Sequence, residues 1–331
     1  MIRCAIAGFG WWGQHIAKRL DTSRNLRLRY IVEPSARAAE TARGAGYDTR
    51  DALQAALDDE SVDALILTTP NTLHEEQVRA AAAAGKHVYC EKPLGLTGAS
   101  AKRSVEACSA AGLVLGIGHE RRWEPAMQET ARLVKDGSLG TIMHAESAFS
   151  HDKLANVPAG DWRTRPDVAP AAGMTGMGIH LTDLYIAMFG KVVTVEALTA
   201  DRILGWETGD VVTAQLGFEA GMTATLSAIL KTPHFIRFHV FGSDAWVESR
   251  NSTHPDTPGG IAELVLQRSG AEPIRKTFEW TDTVIANLEA FADAIEGRAP
   301  YPYSDFEKIH NIEVLEAIAK SARDRQAVHL A

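Results

Sequence analysis

The chain has 331 residues, 45% of them hydrophobic, enough for two domains with separate cores. A formal net charge of −8 and the lack of any run of eighteen apolar residues argue against general nucleic-acid binding and against a membrane span. Cys4, Cys90 and Cys108 form no C-x-x-C motif and cannot all pair, so no disulfide framework and no metal site are expected. The amino terminus enters a strand-like run with no basic region and cleavage site, from which a cytoplasmic location is expected.

Ile2–Ala7 reads as a buried strand, followed by Gly8-Phe9-Gly10-Trp11-Trp12-Gly13 and a helical pattern through Ile16, Ala17 and Leu20. This is G-x-G-x-x-G between strand and helix. Gly8 suits a tight turn, Gly10 a close backbone approach to a pyrophosphate, and Gly13 close helix packing, with the helix N-terminus facing the anion. Phe9, Trp11 and Trp12 join the glycines as cofactor-binding candidates. A second strand, Leu28–Val32, ends at Glu33, twenty residues beyond Gly13. An acid there accepts hydrogen bonds from ribose hydroxyls and repels a 2′-phosphate, so NAD is favoured over NADP. Arg37 stands near enough to offer that phosphate a partner, although a solvated helix charge is its plainer reading.

The alternation continues with helix Ala36–Arg43, a short helix near Asp51–Leu57, strand Val62–Thr68, helix Leu73–Ala84, strand His87–Cys90, helix Ala99–Ala111 and strand Leu113–Gly118. Strands alternating with helices predict right-handed parallel crossovers and a doubly wound α/β sheet. Ligands of such sheets bind outside the carboxyl ends of the strands. Thr69-Pro70-Asn71 and His74 follow one strand there, and Glu91-Lys92-Pro93 follows another. A partly desolvated lysine at a strand end is a candidate proton-transfer group, against the blander reading of a surface Glu-Lys pair beside a turn.

These motifs, with Gly118-His119-Glu120-Arg121-Arg122-Trp123, resemble the Gfo/Idh/MocA family of glucose-fructose oxidoreductase and inositol dehydrogenase relatives in order and spacing. The resemblance covers nearly the whole chain. It implies a nicotinamide-binding Rossmann domain, followed by an α/β domain with a large, mostly antiparallel open sheet that often makes subunit contacts. A homodimer or homotetramer through that sheet is therefore expected. It also implies that Lys92 belongs to the active site. The alternating pattern changes near Arg122, which predicts domains at 1–122 and 123–331.

Beyond the boundary, Met127, Ala131, Leu133 and Val134 predict a helix stopped by Gly137, and Thr141–Phe149 a strand. The long polar segment Asp152–Ala172 contains Trp162-Arg163, and similar family members place a Trp-Arg pair near the substrate. Helical spacing resumes at Ile179, where His180 and Asp183, three apart, share a face on which the carboxylate can orient the imidazole. The family pattern has a histidine matching His180, preceded four residues earlier by an aspartate. Here that position is Gly176. Runs at Val192–Leu198, Val211–Phe218, Met222–Ile229, Ile236–Phe241 and Ile261–Leu266 predict an antiparallel sheet, and helices Val284–Glu296 and Asp305–Ala322 follow.

The expected activity is an NAD-dependent oxidoreductase that moves a hydride between nicotinamide and a secondary alcohol or ketone of a sugar, polyol or cyclitol, including an acidic sugar or dihydrodiol. Gly8, Gly10, Gly13, Glu33, Thr69, Pro70, Asn71, His74, Glu91, Lys92 and Arg121 are the candidate cofactor contacts. Lys92, His180 and Asp183 are the candidate catalytic groups, and Lys92, Arg121, Trp123, Trp162, Arg163 and His180 the candidate substrate contacts. An NAD-dependent glycoside-cleaving enzyme with transient redox and a non-catalytic NAD-binding sensor are the alternatives.

Overall fold

The computed structural model describes residues 1–158 and 160–331. They form two compact units, Met1–Glu120 with Val284–Ile312, and Arg121–Thr283 with Glu313–Ala331.

The first unit holds β1 (Ile2–Ala7), α1 (Trp11–Leu20), β2 (Leu26–Val32), α2 (Ala36–Gly44), β3 (Thr49–Arg50), α3 (Leu53–Leu57), β4 (Ala64–Leu67), α4 (His74–Ala83), β5 (His87–Cys90), α5 (Gly98–Ala110) and β6 (Leu115–Ile117). Its sheet runs β3-β2-β1-β4-β5-β6 with every pairing parallel. Cys4, Ile6, Leu65, Ile66 and Val88 are fully buried, as expected of strands covered on both faces.

The second unit holds α6 (Pro125–Lys135), β7 (Ile142–Ser150), a π-helical turn at Met174–Gly178, α7 (Ile179–Phe189), β8 (Val192–Ala200), β9 (Val211–Phe218), β10 (Thr223–Ile229), β11 (Phe235–Gly242), β12 (Ala245–Asn251), β13 (Ile261–Arg268) and β14 (Ile274–Glu279). The chain ends with α8 (Thr283–Ile295), α9 (Asp305–Asp324) and β15 (Val328–His329). The sheet of this unit has nine strands in the order β14-β13-β12-β11-β7-β10-β9-β8-β15. All its pairings are antiparallel except β7 with β10. Helix α7 lies against it, with Tyr185 buried, its hydroxyl donating to the Thr225 carbonyl at 2.7 Å and meeting the Ser147 hydroxyl at 2.7 Å.

Two sequence expectations change. Helix α8, assigned to the 123–331 domain, belongs to the first unit for nearly its whole length. Val284, Leu288, Phe291 and Ala292 fill the core beneath β1 and β5, where Phe291 meets Tyr89 edge to face at 5.7 Å. Gly116 on β6 makes room, since a Cβ there would lie 2.8 Å from both rings. Strands β12 and β14 were not expected. Ala245–Asn251 alternates in burial, but polar Ser249 takes an inward position and apolar Trp246 an outward one, and Ile274–Glu279 is largely exposed and charged, so neither carries the apolar alternation of a strand.

Candidate active site

At the carboxyl ends of the first sheet, the turn after β1 takes the form its glycines predict. Gly8 has φ +94°, and a Cβ on Gly13 would lie 2.3 Å from the Gly8 carbonyl oxygen. Gly10, by contrast, faces open space, with no atom within 4 Å of an added Cβ, so an anion has room to approach the start of α1. Glu33, just past β2, bridges the neighbouring turns. One carboxylate oxygen accepts the Phe9 N–H at 2.7 Å and the other the Ser35 N–H at 2.9 Å. Each oxygen keeps a lone pair for a ribose hydroxyl. These groups fit a dinucleotide.

The variable positions of the turn divide. Phe9 is buried against Tyr47, so its side chain belongs to the core and its backbone is the part that faces the turn. Trp11 is 64% exposed and stacks with His15, beside Trp12.

After β4, the Thr69 hydroxyl hydrogen-bonds Gln77, Pro70 is exposed and Asn71 is buried. His74 is also buried, its Nδ1 2.7 Å from the Pro93 carbonyl and its Nε2 2.9 Å from the Thr69 carbonyl. Each ring nitrogen faces a protein carbonyl, and a neutral imidazole donates to one of the two. His74 thereby ties the turn after β4 to the turn after β5, a role beside the cofactor contact expected from the sequence. Burial lowers its basicity despite the two carbonyls.

Glu91 is buried with its carboxyl against Gly118 at the end of β6, where a Cβ would come within about 2.4 Å of it. One of its oxygens accepts the Lys92 N–H at 3.3 Å. The backbone of Lys92 is therefore fixed, while its side chain remains partly exposed. A network from the carboxyl-terminal segment backs this strand end. Asn287 donates to the Tyr89 hydroxyl at 3.0 Å and to the Ile117 carbonyl at 2.8 Å, and the Tyr303 hydroxyl donates to the His119 carbonyl at 2.7 Å. These partners are 170 or more residues apart, beyond the reach of any motif.

In the second unit, His180 is buried on α7 with its ring 6.1 Å from Phe149. The two Asp183 oxygens accept from Nε and a terminal nitrogen of Arg122 at 2.7 and 2.6 Å, a buried bidentate pair. Asp183 shares the face of α7 with His180, and a guanidinium 61 residues away in sequence holds its carboxylate, which gives Asp183 a structural partner. Arg121 is likewise enclosed: it donates to Glu124 at 2.6 and 3.1 Å and lies over Phe149 at 4.6 Å. Arg163 stacks on Trp162 at 4.2 Å and is paired with Asp161. Trp123 is half-buried. A Cβ at Gly176 would lie 3.2 Å from a Leu154 methyl, so an apolar side chain stands where the family aspartate was expected.

Comparison with known proteins accounts for this arrangement. Residues 2–119 match the Gfo/Idh/MocA model described as an oxidoreductase family with an NAD-binding Rossmann fold, and residues 127–248 match the Gfo/Idh/MocA carboxyl-terminal domain. The chain belongs to the Gfo/Idh/MocA family. It is 32% identical to D-xylose 1-dehydrogenase (NADP(+)) 2 of Haloferax volcanii over 300 residues, 89% of each chain. It is also 27% identical to scyllo-inositol 2-dehydrogenase (NAD(+)) of Bacillus subtilis, over 99% of this chain and 96% of that one. Among solved structures, aldose-aldose oxidoreductase from Caulobacter crescentus, complexed with glycerol, superposes with a TM-score of 0.87 at 25% identity, covering 99% of both chains. Among the described residues, no helix is long and apolar enough to cross a membrane, and no cluster of potential metal ligands occurs.

Proposed function

We propose that the protein is an NAD-preferring dehydrogenase of a secondary CH–OH group on a sugar, polyol or cyclitol. The observation that carries this reading is the continuous row of groups along one edge of the parallel sheet: the glycine turn after β1, Glu33 after β2, Thr69-Pro70-Asn71 after β4 and Glu91-Lys92 after β5. The dehydrogenase names among its relatives support the reaction class.

When bound, a nicotinamide supplies the hydride acceptor or donor. The residues of the chain do the remaining work. The glycine turn and the start of α1 hold the pyrophosphate, and Glu33 holds the ribose. Pro70, Asn71 and Glu91 border the nicotinamide end. Lys92 hydrogen-bonds the reacting oxygen and carries its proton. In the second unit, His180 contacts the substrate, and Trp123, Trp162 and Arg163 are additional substrate contacts.

A panel of polyols, aldoses, cyclitols and aromatic dihydrodiols with NAD, followed by absorbance at the reduced cofactor's band, tests the reading. Net reduction is expected with at least one class. Product without reduced cofactor would point instead to glycoside cleavage by transient redox, and cofactor binding without turnover to a sensor.

Cofactor choice rests on Glu33. Its relatives include enzymes named for each cofactor, whereas here both carboxylate oxygens are held in place by the Phe9 and Ser35 amides. Replacing Glu33 with alanine is expected to weaken NAD binding by about tenfold, the loss of a charge-assisted hydrogen bond, and to narrow the gap to NADP. An unchanged ratio of the two dissociation constants would rule Glu33 out as the discriminator.

A further inference from the structure

Phe149, near the end of β7, is ringed by polar groups for which the dinucleotide site has no use. The Arg121 guanidinium lies over it at 4.6 Å, and the rings of His151, His180 and His254 stand 5.6, 6.1 and 5.5 Å away. His151 meets His254 at 5.0 Å, and His234 stands 6.5 Å from His254. All of these residues belong to the second unit. They come from five separate stretches of chain, so no local motif announces them.

Backbone hydrogen bonds decide which ring nitrogens carry hydrogen. The Lys153 N–H donates to Nδ1 of His151 at 3.2 Å, and the Asp256 N–H donates to Nδ1 of His254 at 3.2 Å. In a neutral imidazole the nitrogen that accepts has no hydrogen, so Nε2 of His151 is a donor; Nδ1 of His254 also lies 3.2 Å from the Asp256 carboxylate, and Nε2 of that ring donates in the tautomer that accepts from the Asp256 amide and in the imidazolium. Arg121 adds a third donor. Its Nε and one terminal nitrogen are spent on Glu124, while the other terminal nitrogen is buried with no hydrogen-bond partner among the described residues. A guanidinium can only donate, and a buried donor left without an acceptor is destabilising.

Three donors grouped on one aromatic ring select for a ligand. A hydroxyl both donates and accepts and is best served by a mixed lining. A carboxylate only accepts, with two oxygens to share among several donors. Charge points the same way. The Lys153 ammonium faces both histidines, and Arg121 faces His254. After burial, which is the largest cause, these cations help hold His254 down at about 2, and Lys153 helps hold His151 at about 4. Of the acids nearby, Glu124 is paired with Arg121 and accepts from Asn251, the Asp256 carboxylate lies 3.2 Å from Nδ1 of His254, and Asp152 acts on His151 in the opposite sense to Lys153. Asp256 is thus placed to receive an Nδ1–H when an anion at Nε2 favours the imidazolium.

We infer that this cluster is a carboxylate subsite, and that the substrate is a hydroxy acid of the sugar series, a uronate or an aldonate, bound by Arg121, His151 and His254. The inference rests on the dehydrogenase reading above and narrows its substrate class.

The test compares D-galacturonate, D-glucuronate, D-galactonate and D-gluconate with D-galactose, D-glucose, galactitol and sorbitol, each with saturating NAD or NADP. At least one acid is expected to exceed its neutral counterpart in kcat/KM by about 10²-fold or more, since neutral analogues leave the buried donors unpaired. Calorimetric titration of the preferred acid and its neutral counterpart into the cofactor-loaded protein should show the same order of affinity. Arg121→Lys keeps a cation opposite Glu124 but removes the partnerless nitrogen, and should reduce the preference to below about tenfold. His151→Leu and His254→Leu carry the same expectation should that variant fail to fold. Net cofactor reduction with neutral sugars or polyols and none with the acids overturns the subsite and leaves the dehydrogenase standing. An unchanged preference in the folded variants also overturns it. No reduction with either class, nor with the broader panel, overturns the dehydrogenase reading itself.

Discussion

Replacing Lys92 with alanine is expected to lower turnover by about 10²-fold or more while leaving NAD affinity nearly intact, the usual effect of deleting a positioned acid-base group. The expectation comes from how the residue is held. Its backbone N–H is tied to the Glu91 carboxylate, which is seated against Gly118, and the following Pro93 carbonyl is tied to His74. None of these contacts uses the lysine side chain, so its removal leaves the cofactor-binding frame standing. Steady-state rates paired with a fluorescence titration of NAD separate the two effects. Turnover near that of the unaltered protein would remove Lys92 from the proton path, and a loss of NAD affinity matching the loss of rate would make it a binding residue instead.

The second large effect is on stability. Asp183→Ala removes the carboxylate that receives two hydrogen bonds from Arg122, in a pair whose side chains are 3% and 13% exposed. Breaking a buried pair by deleting one member strands the other charge, and about 3–5 kcal/mol of folding stability should be lost. Chemical denaturation followed by circular dichroism reads that loss. The same variant tests the structural assignment of Asp183. Under conditions where it remains folded, turnover per molecule should fall by less than about tenfold. A full loss of turnover with unchanged stability would return Asp183 to the catalytic group.

The elements that lie where the sequence placed them depend on short spacings. Gly8, Gly10 and Gly13 lie within six residues, and each is required by a backbone contact or left clear for one. Glu33 follows directly on β2, as its distance from Gly13 predicted. Lys92 stands at a strand end because a proline follows it. Departures occur where a partner arrives from elsewhere. The spacing of His180 and Asp183 marks a shared helix face but says nothing of Arg122, 61 residues away, which takes the carboxylate. His74 carries a motif's signature, yet only the folded loops reveal that each of its nitrogens faces a protein carbonyl. Residue type and order likewise miss that Phe9 points inward and that Arg121 spends two of its nitrogens on Glu124 and lies over Phe149.

By itself, then, the sequence determined the parallel α/β sheet, the glycine turn after β1, and the places of Glu33 after β2 and Lys92 after β5, because each follows from backbone geometry within a single strand-turn-helix unit. Only the tertiary structure decided that α8 completes the first core, that Asp183 is an ion-pair partner, and that Arg121, His151 and His254 gather around Phe149. Those outcomes depend on side chains tens to hundreds of residues apart competing for the same donors, acceptors and space. That competition is settled by packing in three dimensions and leaves no period or spacing in the chain.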